Sequence, residues 1–389
     1  MPFNLKPSKF GRLQNWQMKR EKRKKKNNRE TSVGQAEDVR QIWDLHDKES
    51  YVRPPRMKRL PQLLLSLAVF AFLSASIFWL LPELVERYYL RQNAAPEVAV
   101  PDMLYEPGTL VVTSSFTNLM QEPRAGSERI TQLLFNEPLQ VLQHSSDEDF
   151  LHVMTLDGVR GYVLQKETLQ DASSIEPNLY KYKLIISDPV KRVMTHATKG
   201  TLRVEVMMNT ILFSDFKGDG VYRVSLPGGG NGWIGSNGII ELGALEPLEK
   251  VGVRYFISSV ESFHYVTHIA HGVTQRGASI EGVVYVCAGI NGLRLPRKME
   301  EQFTAGEEVL LRYDAVTQVL NLSSLLPGDL LFFRSPADPD SDIPYEMGVY
   351  TDTGMVLMNH TSRTSIRICD LANNAELKSR IIAARRIFS

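Results

Sequence analysis

The chain has 389 residues, of which 43% are hydrophobic and 23% are charged. This is the composition of a globular protein, and it excludes a wholly disordered or collagen-like chain. The formal net charge of +1 hides an uneven distribution, because residues 1–60 contain 17 Lys and Arg against 7 Asp and Glu. Two cysteines, Cys287 and Cys369, are too few for a disulfide-stapled scaffold or a four-cysteine zinc site.

An uncharged stretch of 22 residues, from Leu60 to Leu81, follows the basic start. A helix of this length rises about 1.5 Å per residue and spans about 30 Å, the thickness of a bilayer core. We therefore predict a transmembrane helix over residues 60–81. Basic residues crowd its N-terminal side and acidic residues follow it, so the positive-inside rule places residues 1–59 in the cytoplasm and the later domains outside.

Residues 1–59 are predicted to form a basic and largely disordered tail. Seven Lys and Arg lie between Lys19 and Lys26, and such a run can bind anionic lipid, a cytoplasmic protein or nucleic acid. No folded nucleic-acid motif and no interleaved aromatic residues accompany it. We predict contact with membrane lipid through the tail and the helix, and no nucleic-acid partner.

Beyond the membrane, two segments show the short, closely spaced strand patterns of small β-barrels. A Pro- and Ala-rich stalk over residues 82–104 leads to the first segment, residues 105–168, and the second covers residues 190–245. Both resemble the bacterial SH3-like barrels that flank cell-wall enzymes. The resemblance predicts two small all-β SH3-like domains.

The two segments share one local pattern, a strand, a glycine turn and a Gly-aromatic-aliphatic run. The first has an Asp157-Gly158 turn before Tyr162, and the second has Tyr222–Leu226 and a glycine turn before Trp233. Tyr162 and Trp233 are therefore either barrel-packing aromatics or exposed contacts for a wall ligand.

The last segment, residues 250–389, carries four motifs in a fixed order. They are Gly292-Leu293-Arg294-Leu295-Pro296-Arg297, Leu326-Pro327-Gly328-Asp329-Leu330-Leu331-Phe332-Phe333, Met347-Gly348-Val349-Tyr350 and Arg385-Arg386-Ile387. They resemble the motifs of the NlpC-type family of papain-like cysteine peptidases, which cut the stem peptides of peptidoglycan. The resemblance implies an α+β papain-like domain at the C-terminus, and together with the predicted transmembrane helix it implies a protein of the bacterial cytoplasmic membrane.

The catalytic positions depart from the family pattern. Such a peptidase needs a thiolate at a helix N-terminus, where the helix dipole lowers the pKa of the thiol, and a histidine oriented by a third polar group. The family's Asp-Cys-Ser-Gly motif falls on residues 279–282, so that Ile280 occupies the thiol position. The histidine position falls on Glu346 and the orienting position on Met358 or Asn359. We therefore expect no catalytic residues at these three positions.

Other residues of this segment are candidates to replace the three missing catalytic groups. Glu281 and Glu346 could face the old cleft and bind an ammonium group, perform acid–base chemistry, or remain solvated charges. His264, His268 and His271 have helix-like spacing for a metal, but a solvated or hydrogen-bonded cluster is the favoured interpretation. Cys287 and Cys369 are predicted to be buried apolar residues. No metal or cofactor is predicted.

Two hypotheses about function remain at this point. The first is a membrane-anchored cell-wall binding or scaffold protein with an inactive peptidase domain, whose partners are peptidoglycan stem peptides or a cell-wall enzyme. The second is an active γ-D-glutamyl–diamino acid endopeptidase with relocated catalytic residues. Ile280 disfavours the second, because an isoleucine side chain cannot attack a carbonyl carbon.

Overall fold

The computed structural model describes residues 64–65, 67–72, 74–76, 103–106, 108–144, 149–314, 320–352, 354–359 and 364–388. The chain divides into two compact units, residues 1–98 and residues 99–389.

In the first unit, residues 64–65, 67–72 and 74–76 are helical. Among the described residues, no helix combines the length and the apolar character needed to cross a membrane. The tail over residues 1–59 and both ends of the predicted span lie outside the described residues. The transmembrane helix stays a prediction.

The second unit begins with a sheet of seven antiparallel strands. They are β1 (Leu110–Val112), β2 (Phe116–Met120), β3 (Arg129–Leu134), β4 (Pro138–His144), β5 (Phe150–Thr155), β6 (Arg160–Leu164) and β7 (Thr168–Gln170). Their order across the sheet is β3-β2-β6-β5-β4-β1-β7. Inward-facing residues such as Leu119, Val153 and Val163 are fully buried, as expected for strands that present one face to a core. Gly158, at φ 85°, makes the predicted turn between β5 and β6.

A second seven-stranded sheet repeats this topology. Its strands are β8 (Tyr182–Ile186), β9 (Val190–Met194), β10 (Leu202–Met207), β11 (Ile211–Gly218), β12 (Val221–Leu226), β13 (Gly230–Gly235) and β14 (Ile239–Gly243). The order, β10-β9-β13-β12-β11-β8-β14, is that of the first sheet advanced by seven strands. The predicted range 190–245 leaves out β8. That strand joins the sheet by pairing with β11 and β14, which lie far along the chain.

The C-terminal domain places helices against antiparallel strands. Its elements are α1 (Val253–Glu261), β15 (Val273–Thr274), β16 (Gly277–Ala278), α2 (Ile280–Ile290), α3 (Met299–Gln302), β17 (Glu307–Glu308), β18 (Arg312–Tyr313), β19 (Leu320–Asn321), β20 (Leu330–Phe333), β21 (Glu346–Asp352), β22 (Met355–Met358), β23 (Arg367–Asp370), α4 (Ala375–Ser379) and β24 (Ile381–Arg386). Single turns of 3-10 helix cover Gln165–Glu167, Pro177–Leu179 and Leu322–Ser324. The main antiparallel sheet has the order β17-β24-β20-β21-β22-β23, and α1 and α2 share a core with one of its faces.

The Pro327–Phe333 motif is the structural centre of this domain. Gly328, at φ 95°, turns the chain so that all four residues of β20 become fully buried. The Asp329 carboxylate, almost completely buried, accepts hydrogen bonds from Arg386 Nε at 2.9 Å and Nη2 at 2.7 Å. This bidentate ion pair fixes the start of β20 against the end of β24.

Both barrels pack directly on the C-terminal domain. Leu134 of the first barrel and Met207 and Met208 of the second lie in the same hydrophobic cluster as α2. Eight of the eleven residues of α2 are buried, which explains why this helix is apolar all round rather than amphipathic. Residues of the first barrel, of the second barrel and of the C-terminal domain itself therefore pack around α2.

Arg297 joins the first barrel to the C-terminal domain through an ion-pair network around its own buried side chain. Its side chain, only 4% exposed, donates from Nη2 to Glu137 Oε1 at 2.6 Å and from Nε to Asp157 Oδ2 at 2.7 Å. Nη1 donates to the Gln132 carbonyl, and the guanidinium lies 4.4 Å from the centre of the Tyr285 ring. A guanidinium can satisfy all these contacts at once because its donors form a rigid planar fork.

Candidate functional site

The N-terminus of α2 opens into a cleft of about 310 Å³. One wall comes from the loop before β15, another from the beginning of α2 and from α3, and the floor from β21 and the chain just after β22. The lining residues are His268, Ala270, His271, Ile280, Glu281, Met299, Glu300, Tyr345, Glu346, Met347 and Asn359.

Ile280 occupies the place where a helix dipole would stabilise a thiolate. It is the first residue of α2, follows the N-cap residue Ser279 and is 3% exposed. Neither of the chain's two cysteines lines the cleft. Cys287 is fully buried with its Sγ 4.0 Å from Met208 Sδ, and this burial raises the pKa of its thiol. Cys369 is partly buried on β23. The described cleft therefore presents no thiol.

The strand pairing distinguishes the two candidates for the orienting position, Met358 and Asn359. Gly348 of β21 lies opposite Met358 of β22, so the next pair outward is Met347 and Asn359. Asn359 and Met347 line the cleft, and Met347 packs in the same cluster as Ile280. Met358 is fully buried in the cluster on the other face of the sheet. Of the two predicted orienting positions, Asn359 rather than Met358 reaches the cleft, because neighbouring residues of a strand point to opposite faces.

Glu346 borders the cleft, but its carboxylate already forms an ion pair with Arg380. Its Oε2 accepts a hydrogen bond from Arg380 Nη2 at 2.7 Å, and both side chains are almost buried, at 10% and 8% exposure. Because this oxygen already accepts a hydrogen bond from Arg380, Glu346 does not offer it to a nucleophile as a catalytic histidine would.

Glu281 forms the charged centre of the cleft with His271. The Glu281 Oε1 and His271 Nδ1 atoms are 3.2 Å apart. Burial opposes ionisation of Glu281, but hydrogen bonds from His271, from Ser279 and from its own backbone outweigh it and lower the pKa of the carboxyl. The hydrogen bond to Glu281 outweighs the effect of burial on His271 and raises the pKa of the imidazole.

His268 is the third polar group of this wall. Burial lowers the pKa of its imidazole, although Glu281 acts in the opposite direction. The buried Nδ1 of His268 has no hydrogen-bond partner among the described residues.

The first barrel holds the wall that carries these histidines. Arg129 Nη1 on β3 donates to the Ala270 carbonyl at 2.9 Å, and Gln132 Oε1 accepts from the Val273 N–H at 3.0 Å. His271 itself has a positive φ of 56°, a conformation that side chains rarely adopt outside constrained sites. Of the three histidines that sequence analysis grouped by their spacing, His268 and His271 line the cleft. His264 instead stacks on Tyr265 at 3.9 Å and does not line the cleft.

The described residues contain no group of three or more His, Cys, Asp or Glu side chains arranged to hold a metal ion. Of the three histidines with metal-like spacing, His271 pairs with Glu281 and His264 stacks on Tyr265.

Trp233 and Tyr162 lie on the barrels and do not line the cleft. Trp233 belongs to a row across four strands, in which Phe216, Arg223, Trp233 and Met194 are successive cross-strand partners. The Trp233 and Phe216 rings meet edge to face at 5.8 Å, and Phe216 is 44% exposed. Tyr162 stacks on His152 at 4.8 Å. Trp233 thus forms part of a partly exposed aromatic surface on the second barrel, whereas Tyr162 has a neighbouring ring on the first.

Two family models match parts of the chain. Residues 119–167 match the bacterial dipeptidyl-peptidase SH3 domain, and residues 272–386 match the NlpC/P60 family. The chain therefore carries an SH3 domain of the bacterial type followed by an NlpC/P60 domain. No curated protein sequence matches the chain.

Solved structures share this architecture. An NlpC/P60 family protein from Bacillus cereus is 16% identical, with 72% of this chain and 100% of that chain covered and a TM-score of 0.61. An NlpC/P60 endopeptidase from Photobacterium damselae is 10% identical, with 72% of each chain covered and a TM-score of 0.50. Likenesses at this level of identity show the fold.

Proposed function

Because an NlpC/P60 domain here carries isoleucine where the family resemblance requires a thiol, we propose that the protein binds the bacterial cell wall without cutting it. The observation that carries the proposal is the position of Ile280, buried at the first residue of α2 and facing the cleft. Fold alone does not confer activity, and a cleft can keep its binding shape after its chemistry is lost.

The remaining polar residues support binding more than hydrolysis. Glu281 is paired with His271 and Glu346 with Arg380. Each carboxylate therefore already has a hydrogen-bonding partner inside the protein, which favours binding over acid–base chemistry. The hydrolase hypothesis with relocated residues has no thiol nucleophile in the cleft, since both cysteines lie elsewhere.

The uncharged segment over residues 60–81 supports an anchored location for this activity. We propose a single-pass protein of the bacterial cytoplasmic membrane, with the basic tail inside and the barrels and NlpC/P60 domain outside. The tail would contact anionic lipid. In this arrangement the cleft faces peptidoglycan stem peptides, or a cell-wall enzyme that the protein holds near them.

Co-sedimentation of the full chain with isolated sacculi tests the proposal. We expect the detergent-solubilised protein to pellet with sacculi, and Ala270→Trp, which fills the cleft from its exposed rim, to weaken this binding about tenfold. Trp233→Ala should weaken it severalfold, because a partly exposed aromatic contact contributes about 0.5–1.5 kcal/mol. Tyr255→Ala removes an exposed ring from α1 and serves as the matched control. Sacculus binding that is absent in the wild type, or unchanged in both variants, would contradict the proposal.

A further inference from the structure

A second recess, of about 590 Å³, lies where the second barrel meets the C-terminal domain. It shares none of its described lining residues with the cleft at the N-terminus of α2. The barrel contributes the chain around the start of β9, part of β10 and the end of β13, and the C-terminal domain contributes the turn between β15 and β16. A recess of this volume can hold a small molecule or the end of a longer one.

Gly235 keeps this recess open. Trp233 of β13 pairs with Met194 of β9, so Gly235 lies beside Arg192, two residues further along the antiparallel strands. A Cβ at Gly235 would meet no heavy atom within 4 Å, and the backbone there is not in the left-handed region. A larger side chain at this position would therefore enter the recess without strain.

Positive charge exceeds negative charge in the lining of the recess. Three cationic side chains line it, those of Lys191, Arg192 and Arg276, together with two carboxylates, on Asp188 and Glu205. Glu205 Oε2 accepts a hydrogen bond from Arg276 Nη2 at 2.6 Å, and Glu205 Oε1 lies 3.5 Å from Arg192 Nε. One carboxylate thus holds two guanidinium groups from two domains, and one positive charge of the lining is unbalanced.

Lys191 is a nearly buried cation of this lining. Its side chain is 11% exposed, and its Nζ lies 3.9 Å from Asp188 Oδ2 and donates a hydrogen bond to the Asn237 carbonyl. Burial lowers the pKa of the ammonium, although the charge of Asp188 acts in the opposite direction. The distant carboxylate therefore does not offset the cost of burial, and a further anion in the recess would stabilise the charged lysine.

The two guanidinium groups keep donors for a ligand. A guanidinium has five N–H donors in a planar fork, and among the described residues that of Arg276 donates only from Nη2. The side chains of Arg276 and Arg192 are 60% and 72% exposed, so their other donors can be reached from solution. A carboxylate matches this geometry, because its two oxygen atoms accept parallel hydrogen bonds from one guanidinium.

We infer that the recess binds a carboxylate group of a ligand, between Arg276 of the C-terminal domain and Lys191 and Arg192 of the second barrel. The single negative charge of a carboxylate balances the lining, whereas a phosphate monoester carries about −1.5 to −2 and exceeds it. The carboxylate can belong to a peptide or to an acidic sugar. This site goes beyond the proposed function, because it lies outside the cleft and does not require that the partner is peptidoglycan.

The fluorescence of Trp233 gives a local readout in the full chain, since Trp233 lies two residues from Gly235 on the same face of β13. The other three tryptophans, Trp16, Trp43 and Trp79, are replaced by phenylalanine. A local readout is needed because the basic N-terminal segment also attracts anions. The titrants are N-acetylglycine, D-glucuronate and inorganic phosphate at constant ionic strength, and the uncharged controls are N-acetylglycinamide and D-glucose.

We expect at least one carboxylate to change the Trp233 emission saturably and its uncharged counterpart to leave it unchanged. Arg276→Gln should weaken binding at least about tenfold, because it removes hydrogen bonds between charged groups. Gly235→Leu should abolish binding by filling the recess. Glu205→Gln should tighten binding severalfold, since it removes a carboxylate that competes with the ligand. Arg254→Gln, which removes an exposed cation of α1, is the control and should change nothing.

The two carboxylates distinguish the sources of the ligand. Binding of N-acetylglycine alone would indicate a peptide, binding of glucuronate alone an acidic sugar, and binding of both a site that reads the carboxylate itself. The inference would be overturned by no saturable change with either carboxylate, by an equal change with the uncharged controls, or by phosphate that binds more tightly than both carboxylates. An affinity that is unchanged in Gly235→Leu, or that falls in Glu205→Gln, would overturn it as well.

Discussion

Replacing Arg297 with methionine should lower the free energy of unfolding of the full chain by about 3–5 kcal/mol. Methionine keeps an apolar stem over Tyr285 but leaves the Glu137 and Asp157 carboxylates without their common partner. Removing one member of a buried ion pair typically costs this much, because the other charge, here Glu137 at 15% exposure, stays buried and uncompensated, whereas Asp157 at 36% exposure remains solvated. Urea denaturation of wild type and variant measures the loss.

The control for this variant lies three residues earlier. Arg294 is exposed, and Arg294→Met should change stability by less than about 0.5 kcal/mol. Neutralising the partners together, with Glu137→Gln and Asp157→Asn added to Arg297→Met, should recover much of the loss. A loss below about 1 kcal/mol for Arg297→Met would show that the network does not hold the barrel on the domain.

The ion pair between Arg297 and Asp157 should make the stability of the protein depend on pH in the acidic range. Burial opposes ionisation of Asp157, but the charge and hydrogen bond of Arg297 outweigh it, so the pKa of Asp157 is lowered in the folded protein. Its contribution to stability is therefore present above the unfolded pKa and is lost as pH falls through the folded one. The stability gap between wild type and Arg297→Met should shrink over that range.

Gly282→Ala should destabilise the protein by about 2 kcal/mol and weaken sacculus binding. A Cβ at this position would lie 2.1 Å from the Gly272 carbonyl oxygen, which also accepts the Ser279 N–H at 2.9 Å. Forcing apart a packed contact costs about 1–3 kcal/mol or more, whereas alanine would gain only about 1 kcal/mol in helix propensity. The cost of the clash is therefore larger than the gain in helix propensity, and the clash displaces the loop that carries His271.

Gly126→Ala separates this clash from a general effect of replacing glycine. A Cβ at Gly126 would have no heavy atom within 4 Å, so its substitution should leave stability nearly unchanged. Stability of Gly282→Ala equal to or above that of the wild type would contradict the close approach of α2 to the cleft wall.

The sequence was informative wherever a local motif determines the backbone. The Asp157-Gly158 turn and the buried strand after Gly328 follow from the conformational freedom of glycine and from apolar runs. The start of α2 at Ile280 follows from the register of one short motif. These features depend on neighbouring residues, which a single sequence displays.

The side chains that meet in the cleft were harder to predict. The pairing of β21 with β22 shifts between Tyr350 and Asp352, and a shift of one residue decides which side chain faces the cleft. For this reason Asn359 and Met358 could not be separated by counting. Arg297 and its partner Glu137 are 160 residues apart in the sequence, and Glu346 and its partner Arg380 are 34 residues apart. No local sequence pattern predicts such contacts.

Incubating the purified full chain with isolated sacculi and analysing the supernatant by chromatography tests the central claim most directly. Without a nucleophile at position 280, the protein should release no soluble muropeptides above a protein-free blank while it pellets with the sacculi. Release of muropeptides that grows with time and protein concentration would contradict the claim and make this domain a hydrolase.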